Sequence, residues 1–285
     1  MRCLIAGCGY LGSALAGRLA RRGHTVFGLR RRPAGLPEGV TAVAVDLGDP
    51  AALAAALPGD LDAVVYAAAA DSRDPADYRR AYPDGLGNLL DALPEPGPRV
   101  LFTSSTSVYG QDDGSWVDED SPTEPASETG RILLEAEARL AGSGRPGATL
   151  RLGGLYGPGR TRLIESVRSG AARIPAGEPI PTNRIHRDDA AGALDHLLNL
   201  PGVDSVYLGV DDDPADLGTV LRWMARRLGV PEPPLAEPGD GAGATGRGRR
   251  MRKRCRNARL RGSGYVFTYP SFREGYDSIL RAQGD

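Results

Sequence analysis

Three observations predict an α/β fold built on a doubly wound parallel sheet. Short, wholly apolar runs recur through the first half of the chain. Stretches of helical period separate them, and the chain opens on a strand, a glycine-rich turn and a helix in succession. A strand that is apolar throughout must be covered on both faces, which is the position of a parallel strand between two layers of helices.

The elements follow in order. Residues 2–6 make the first buried strand. Leu11, Leu15 and Leu19, with Ala14 and Ala16 beside them, form a helix stripe ending at Arg22-Gly23. Strands are expected over 25–29, 41–45, 63–66, 99–103 and 148–152, with helical stretches near 50–57, 78–93 and 127–141. Beyond Leu152 the pattern loosens. "LYGPGR" is a turn-rich crossing, "HRDDAAGALDHLLNL" opens a helix with acidic residues in its first turn, "DSVYLGV" is a strand and 215–228 is an amphipathic helix. The expected division is a first domain over 1–154 that takes in the helix near 187–200, and a smaller region formed by 155–186 and 201–285. A Pro/Gly-rich stretch near 231–250 is expected to be a mobile loop, and an arginine run spans 247–261.

Of the 285 residues, 41% are apolar and 25% charged, with a formal net charge of −1, which is the composition of a globular protein in water. Such a balance gives no overall reason to expect nucleic acid or a membrane surface as partner. The arginine run alone offers a nucleic-acid patch, but no aromatic residue interleaves it; a solvated face or part of an anion pocket is the preferred expectation. Arginine supplies nearly all the positive charge, and Lys253 is the single lysine. Cys3, Cys8 and Cys255 have neither metal nor disulfide spacing, so no metal is expected, and Cys8 reads as a small filler beside a helix start. Glycines interrupt the N-terminal apolar run and no later run reaches bilayer length, so a cytoplasmic protein is expected.

"GCGYLG" matches G-x-G-x-x-G at Gly7, Gly9 and Gly12, directly after a strand and at the start of a helix. That is the Rossmann-type context. Gly7 permits a tight turn, Gly9 lets the backbone approach a pyrophosphate, and Gly12 lets helix pack on strand. The helix N-terminus at Tyr10 and Leu11 offers N–H groups to the phosphates. An NAD site would place a carboxylate at the end of the second strand to accept from the ribose 2′-hydroxyl. This chain places Arg30 there, followed by Arg31 and Arg32. A guanidinium cannot accept that proton but pairs well with a 2′-phosphate, so NADP is expected over NAD. If the arginines face solvent instead, the preference stays open. Asp46, with Leu47 behind it, is placed to meet an adenine amino group, and Ala67 and Ala68 allow close approach to the adenosine ribose. Ser104 completes the expected cofactor set.

With "GCGYLG", "VDLGD", "LFTSSTSVYG", "RLGGLYGPGR" and "NRIHRDDAAGAL" in place, the chain resembles an extended or atypical short-chain dehydrogenase/reductase of the NAD-dependent epimerase/dehydratase superfamily, over nearly its whole length. The resemblance implies a first domain that binds the dinucleotide and a smaller region that closes over a small-molecule substrate, often a nucleotide sugar. Homodimers through sheet-flanking helices are the usual arrangement in such proteins. It implies that Ser105 is the catalytic hydroxyl. It also implies a Tyr-x-x-x-Lys pair on the helix that follows, because residues four apart share a helix face. No tyrosine stands in "EPASETGRILLEAEARL", and no lysine either. One register sets Thr129 and Leu133 at the two positions; the other sets Ser127 and Arg131.

Tyr109, four residues after Ser105, is the candidate acid/base in its place, expected at the mouth of the site. Tyr156, Arg160 and His186 are the candidate substrate contacts, and Asp188 and Asp189 read as caps of the helix that follows His186. Two functions stay open. One is an NADP-dependent oxidoreductase or epimerase-like enzyme with a non-standard acid/base group. The other is a non-catalytic NADP(H)-binding sensor or regulatory module.

Overall fold

The computed structural model describes residues 1–237 and 252–284. Seven parallel strands form the central sheet: β1 (Arg2–Ala6), β2 (Thr25–Leu29), β3 (Val40–Val43), β4 (Ala63–Tyr66), β5 (Arg99–Ser105), β7 (Gly147–Leu152) and β10 (Val206–Gly209). Two short pairs stand apart from it: β6 (Trp116–Val117) with β11 (Arg254–Cys255), and β8 (Gly154–Tyr156) with β9 (Arg184–His186). The order β10-β7-β5-β4-β1-β2-β3 places the direction switch between β1 and β4. Their register sets Ala6 level with Leu29 on one side and Tyr66 on the other, so the carboxyl ends open onto one crevice. The strand over 206–209, expected in the smaller region, instead extends the main sheet beside β7. Tyr207 and Leu208, both buried, place one side chain on each face, as a sheet covered on both sides demands.

On one face α1 (Tyr10–Arg21) and α7 (Arg187–Asn199) bury Leu15, Leu19, Leu194 and Leu197 against Ile5 and Val65. On the other, α2 (Pro50–Ala56), α4 (Gly85–Ala92) and α5 (Glu128–Gly142) bury Leu53, Leu86, Leu89 and Leu133 against Tyr66 and Phe102. Each such side chain contributes roughly 1.5–3 kcal/mol when fully buried. A third cluster joins α6 (Arg162–Arg168), α8 (Leu217–Leu228) and α9 (Phe272–Gln283) through Ile164, Met224, Phe272 and Leu280. This cluster is separate from the two that cover the faces of the sheet.

The helix expected over 78–93 is broken. After α3 (Pro75–Arg79) the chain makes a wide π turn at Arg80–Asp84 before α4 begins. Pro83 lies inside that turn and has no N–H to continue the α ladder. Tyr66 donates its hydroxyl to the carbonyl of Ala81 at 2.6 Å, which ties this turn to the sheet.

Three sets of polar ties hold segments distant in sequence together. Asp189 does not cap α7. Its buried carboxylate accepts from the N–H groups of Thr268 and Tyr269, both at 2.8 Å, and from the Tyr265 hydroxyl, so it anchors the C-terminal segment. Asp195, also buried, accepts from Arg18 at 2.7 Å and pairs with Arg22, which locks α7 to α1. The described part of the arginine run is spent within the chain: Arg259 on Asp120 at 2.8 Å, Arg261 on Asp212, Arg252 on Glu178, and Arg256 over the Trp116 ring. The loop expected to be mobile lies from residue 238 to 250 outside the described residues. Its first part is fixed, since Ile174 and Pro234–Ala236 exchange backbone hydrogen bonds of 2.9 and 2.8 Å. No helix among the described residues is long and apolar enough to cross a membrane.

Candidate functional site

A cleft of about 1910 Å³ runs along the carboxyl ends of the sheet strands. Gly7, Gly9, Tyr10 and Leu11 line one end of it, with Arg30, Arg31, Asp46, Leu47, Ala67 and Ala68. The three loop glycines have three different reasons. Gly7 has φ +94°, and a Cβ there would lie 2.2 Å from the Ala68 nitrogen. A Cβ on Gly12 would lie 2.2 Å from the Gly7 oxygen, so helix and loop meet only through glycine. At Gly9 a Cβ would meet nothing within 4 Å. The space in front of it is open, and Gly9 caps α1 without any side-chain hydrogen bond, so the first-turn N–H groups are left to a ligand. A cradle of this kind fits a dinucleotide pyrophosphate.

Arg30 lies at the end of β2 with its Nη1 3.3 Å from the Cys8 carbonyl. Arg31 reaches across to Asp71 with two hydrogen bonds of 2.8 and 2.9 Å, both partners largely exposed. Asp46 is exposed, and its Oδ1 accepts from the Gly48 N–H at 2.9 Å while Oδ2 has no such bond. Cys8 fills space: it is buried, its thiol is pushed up by burial, and its sulfur lies against Gly28.

At the other end Ser105 closes β5. Its Oγ accepts from the Ser107 N–H at 3.1 Å, which leaves its proton for a ligand in the cleft. Ser104, expected as a cofactor contact, also lines the cleft, and its hydroxyl donates to buried Glu137 at 2.6 Å, so that proton is already spent. Tyr109 is also displaced from its expected place. It is 0% exposed and lies beneath the cleft, where its hydroxyl accepts from Arg151 at 2.7 Å. Burial pushes that phenol up to about 12. Arg151 in turn donates to both oxygens of Glu137, the shortest contact being 2.6 Å. Glu137, Arg151 and Tyr109 thus form a buried network under the floor of the cleft, which the Ser104 hydroxyl joins from the lining.

The expected substrate contacts divide. Arg160 lines the cleft, 4.1 Å over the Tyr10 ring, and donates to the Leu155 carbonyl at 3.2 Å. Tyr156 also lines it, yet its ring is clamped between His186 and Tyr276 and burial pushes its phenol up, so it serves as a wall. His186 is withdrawn. It is 1% exposed, burial lowers its pKa, and its Nδ1 accepts from the Asp188 N–H at 3.2 Å, making it the cap of α7.

The model of the NAD-dependent epimerase/dehydratase family matches residues 3–199. The chain belongs to this family. Over 254 residues it is 32% identical to a Streptomyces 3-diazoavenalumate denitrifying reductase, covering 82% of this chain and 83% of that one. Over 252 residues it is 34% identical to the protein YeeZ of Escherichia coli K12, covering 81% and 84%. A solved structure of an epimerase/dehydratase family protein from Methylobacillus flagellatus superposes with a TM-score of 0.80 at 37% identity, covering 100% of this chain and 99% of that one.

α5 contributes no residue to the lining of this cleft. α5 begins one residue after its cap Ser127 and carries neither tyrosine nor lysine. Ser127, Thr129, Arg131 and Leu133 are absent from the cleft lining in either register. Instead, Asn183, Arg184 and Lys253 line it. Lys253 is buried, burial lowers its pKa, and its Nζ donates to the Tyr109 carbonyl at 3.0 Å. Sequence reasoning missed both cations. A lone lysine in an arginine-rich chain was the signal available for Lys253, and nothing local marked Arg184.

Proposed function

We propose that this chain is an NADP(H)-dependent oxidoreductase acting on a small organic molecule. The observation that carries the reading is a glycine-loop cleft whose β2 terminus presents Arg30 where an NAD site would present a carboxylate. When bound, the nicotinamide ring supplies or accepts a hydride. The residues of this chain do the rest. The α1 N-terminus holds pyrophosphate, and Arg30 pairs with the 2′-phosphate. Arg31 joins it by leaving Asp71, an exposed pair worth little on its own. Ser105 donates a hydrogen bond to the reacting oxygen of the substrate, and the proton that balances hydride transfer is exchanged with solvent water. The Streptomyces relative is named as a reductase, which supports reduction over epimerisation.

Two substitutions test this. Arg30→Asp weakens NADPH binding about 10–100-fold and NADH binding little, as the loss of a charge-assisted pair predicts; equal losses contradict the phosphate reading. Ser105→Ala keeps cofactor affinity and lowers turnover by roughly two to four orders of magnitude. Unchanged turnover removes Ser105 from the chemistry. A sensor remains the second reading, favoured by one observation: α5 offers the cleft no acid/base group.

A further inference from the structure

The adenosine end of the cleft holds a charge at odds with a phosphorylated ligand. Asp71, in the loop after β4, is exposed and lines the cleft, as do Arg30, Arg31 and Arg32. A carboxylate in that place repels a phosphate. Arg31 neutralises it, because its Nη2 donates to both Asp71 oxygens, at 2.8 and 2.9 Å. Asp46 acts on Arg31 only through charge, with no hydrogen bond between them. An exposed pair of the same kind, Arg79 with Glu135, contributes nothing to the cleft lining.

Sheet order gives the Arg31–Asp71 pair its place. β1 stands between β2 and β4, with Ala6 level with Leu29 on one side and Tyr66 on the other. Arg31 lies two residues past the end of β2 and Asp71 five past the end of β4. The pair thus joins the two strands that flank β1, which stand roughly 10 Å apart. It crosses the carboxyl end from which the glycine loop departs, where the adenosine ribose of a dinucleotide lies. An exposed ion pair of this kind is weak. A phosphate group brings more charge and more acceptor oxygens than a carboxylate, so exchanging one anion for the other on Arg31 is favourable.

We infer that Asp71 is a specificity-determining residue of the dinucleotide site, a built-in competitor for Arg31 that a ligand's 2′-phosphate displaces and a plain 2′-hydroxyl leaves in place. The inference rests on the NADP(H) reading above and names what regulates that end of the site. Arg30, whose Nη1 meets only the Cys8 carbonyl, is presented to a ligand from the start. Arg31 is released only in exchange for another anion. Asp71 therefore holds the affinity for the phosphorylated cofactor below what the two arginines would give without it.

Half-cofactor probes isolate this end of the cleft. Calorimetry at low salt compares adenosine 2′,5′-bisphosphate with adenosine 5′-monophosphate on the parent protein, Asp71→Asn, Arg31→Met and the double variant. Both side chains are largely exposed, so the variants keep the fold. Asp71→Asn tightens the bisphosphate roughly three- to tenfold and leaves the monophosphate within about twofold. In the Arg31→Met background the same substitution changes bisphosphate affinity by less than about twofold. Unchanged or weakened bisphosphate binding in Asp71→Asn overturns the inference. An equal gain for the monophosphate also overturns it, since the carboxylate then repels anions in general. So does a gain that survives Arg31→Met, which bypasses the arginine. A parent protein that binds the two probes alike defeats the NADP(H) reading itself. A parent that prefers the bisphosphate but is indifferent to Asp71→Asn defeats only the role of Asp71.

Discussion

Arg151 and Arg184 are buried to the same degree, 6% and 7% exposed, and differ in what they touch. Arg151 gives its guanidinium to Glu137 and Tyr109 and seals the floor of the cleft. Arg184 stands in the wall with an unpartnered Nη1. The difference lies in satisfaction, not in burial: one guanidinium is closed into a hydrogen-bond network, while the other faces the cleft beside buried Asp211 without a hydrogen bond at Nη1.

The largest effect that would break this comparison is on stability. Glu137→Ala strands Arg151 in the core and costs about 3–5 kcal/mol in urea denaturation, whereas Arg184→Met costs less, because it breaks no side-chain hydrogen bond and removes only the charge beside buried Asp211. Equal losses would make Arg184 a structural residue. Next comes the loop. Gly7→Ala costs about 1–3 kcal/mol from its positive φ alone, with the Ala68 clash added, and destroys dinucleotide binding. Gly9→Ala changes stability by about 1 kcal/mol or less, since its Cβ has free space, yet lowers dinucleotide affinity. If both variants lose stability alike, the open space before Gly9 is not a binding surface.

The smallest effect is a pH dependence. Burial lowers the His186 pKa, so the folded state keeps the ring neutral while the unfolded ring takes a proton below its ordinary 6.5. Its contribution is present above that value and is lost as pH falls. His186→Asn, which retains a cap acceptor, flattens the fall in stability below pH 6.5 relative to the parent protein. An unchanged slope would show that His186 titrates normally.

The cofactor end of the cleft was legible in the sequence because its constraints are local. Gly7, Gly9 and Gly12 stand within one turn, and the strand that precedes them and the helix that follows are marked by their own periodicity. Arg30 could be placed by counting to the end of a strand. The substrate end was not legible, because tertiary packing decides it. Tyr109 follows Ser105 by four residues, yet a buried arginine from β7 draws its side chain beneath the floor. Lys253 lies 148 positions beyond Ser105 and reaches the same cleft only through Asn183 and the β6–β11 pairing. His186 and Asp189 exchanged their expected parts for a similar reason: the Tyr265–Tyr269 segment, distant in sequence, claims the aspartate and leaves the cap to the histidine.

The measurement that bears most directly on the central claim is a calorimetric titration of the purified protein with NADPH, NADP, NADH and NAD. Binding of the phosphorylated pair, with the unphosphorylated pair at least tenfold weaker, is the predicted result. Binding of neither pair, or of both pairs alike, would contradict it.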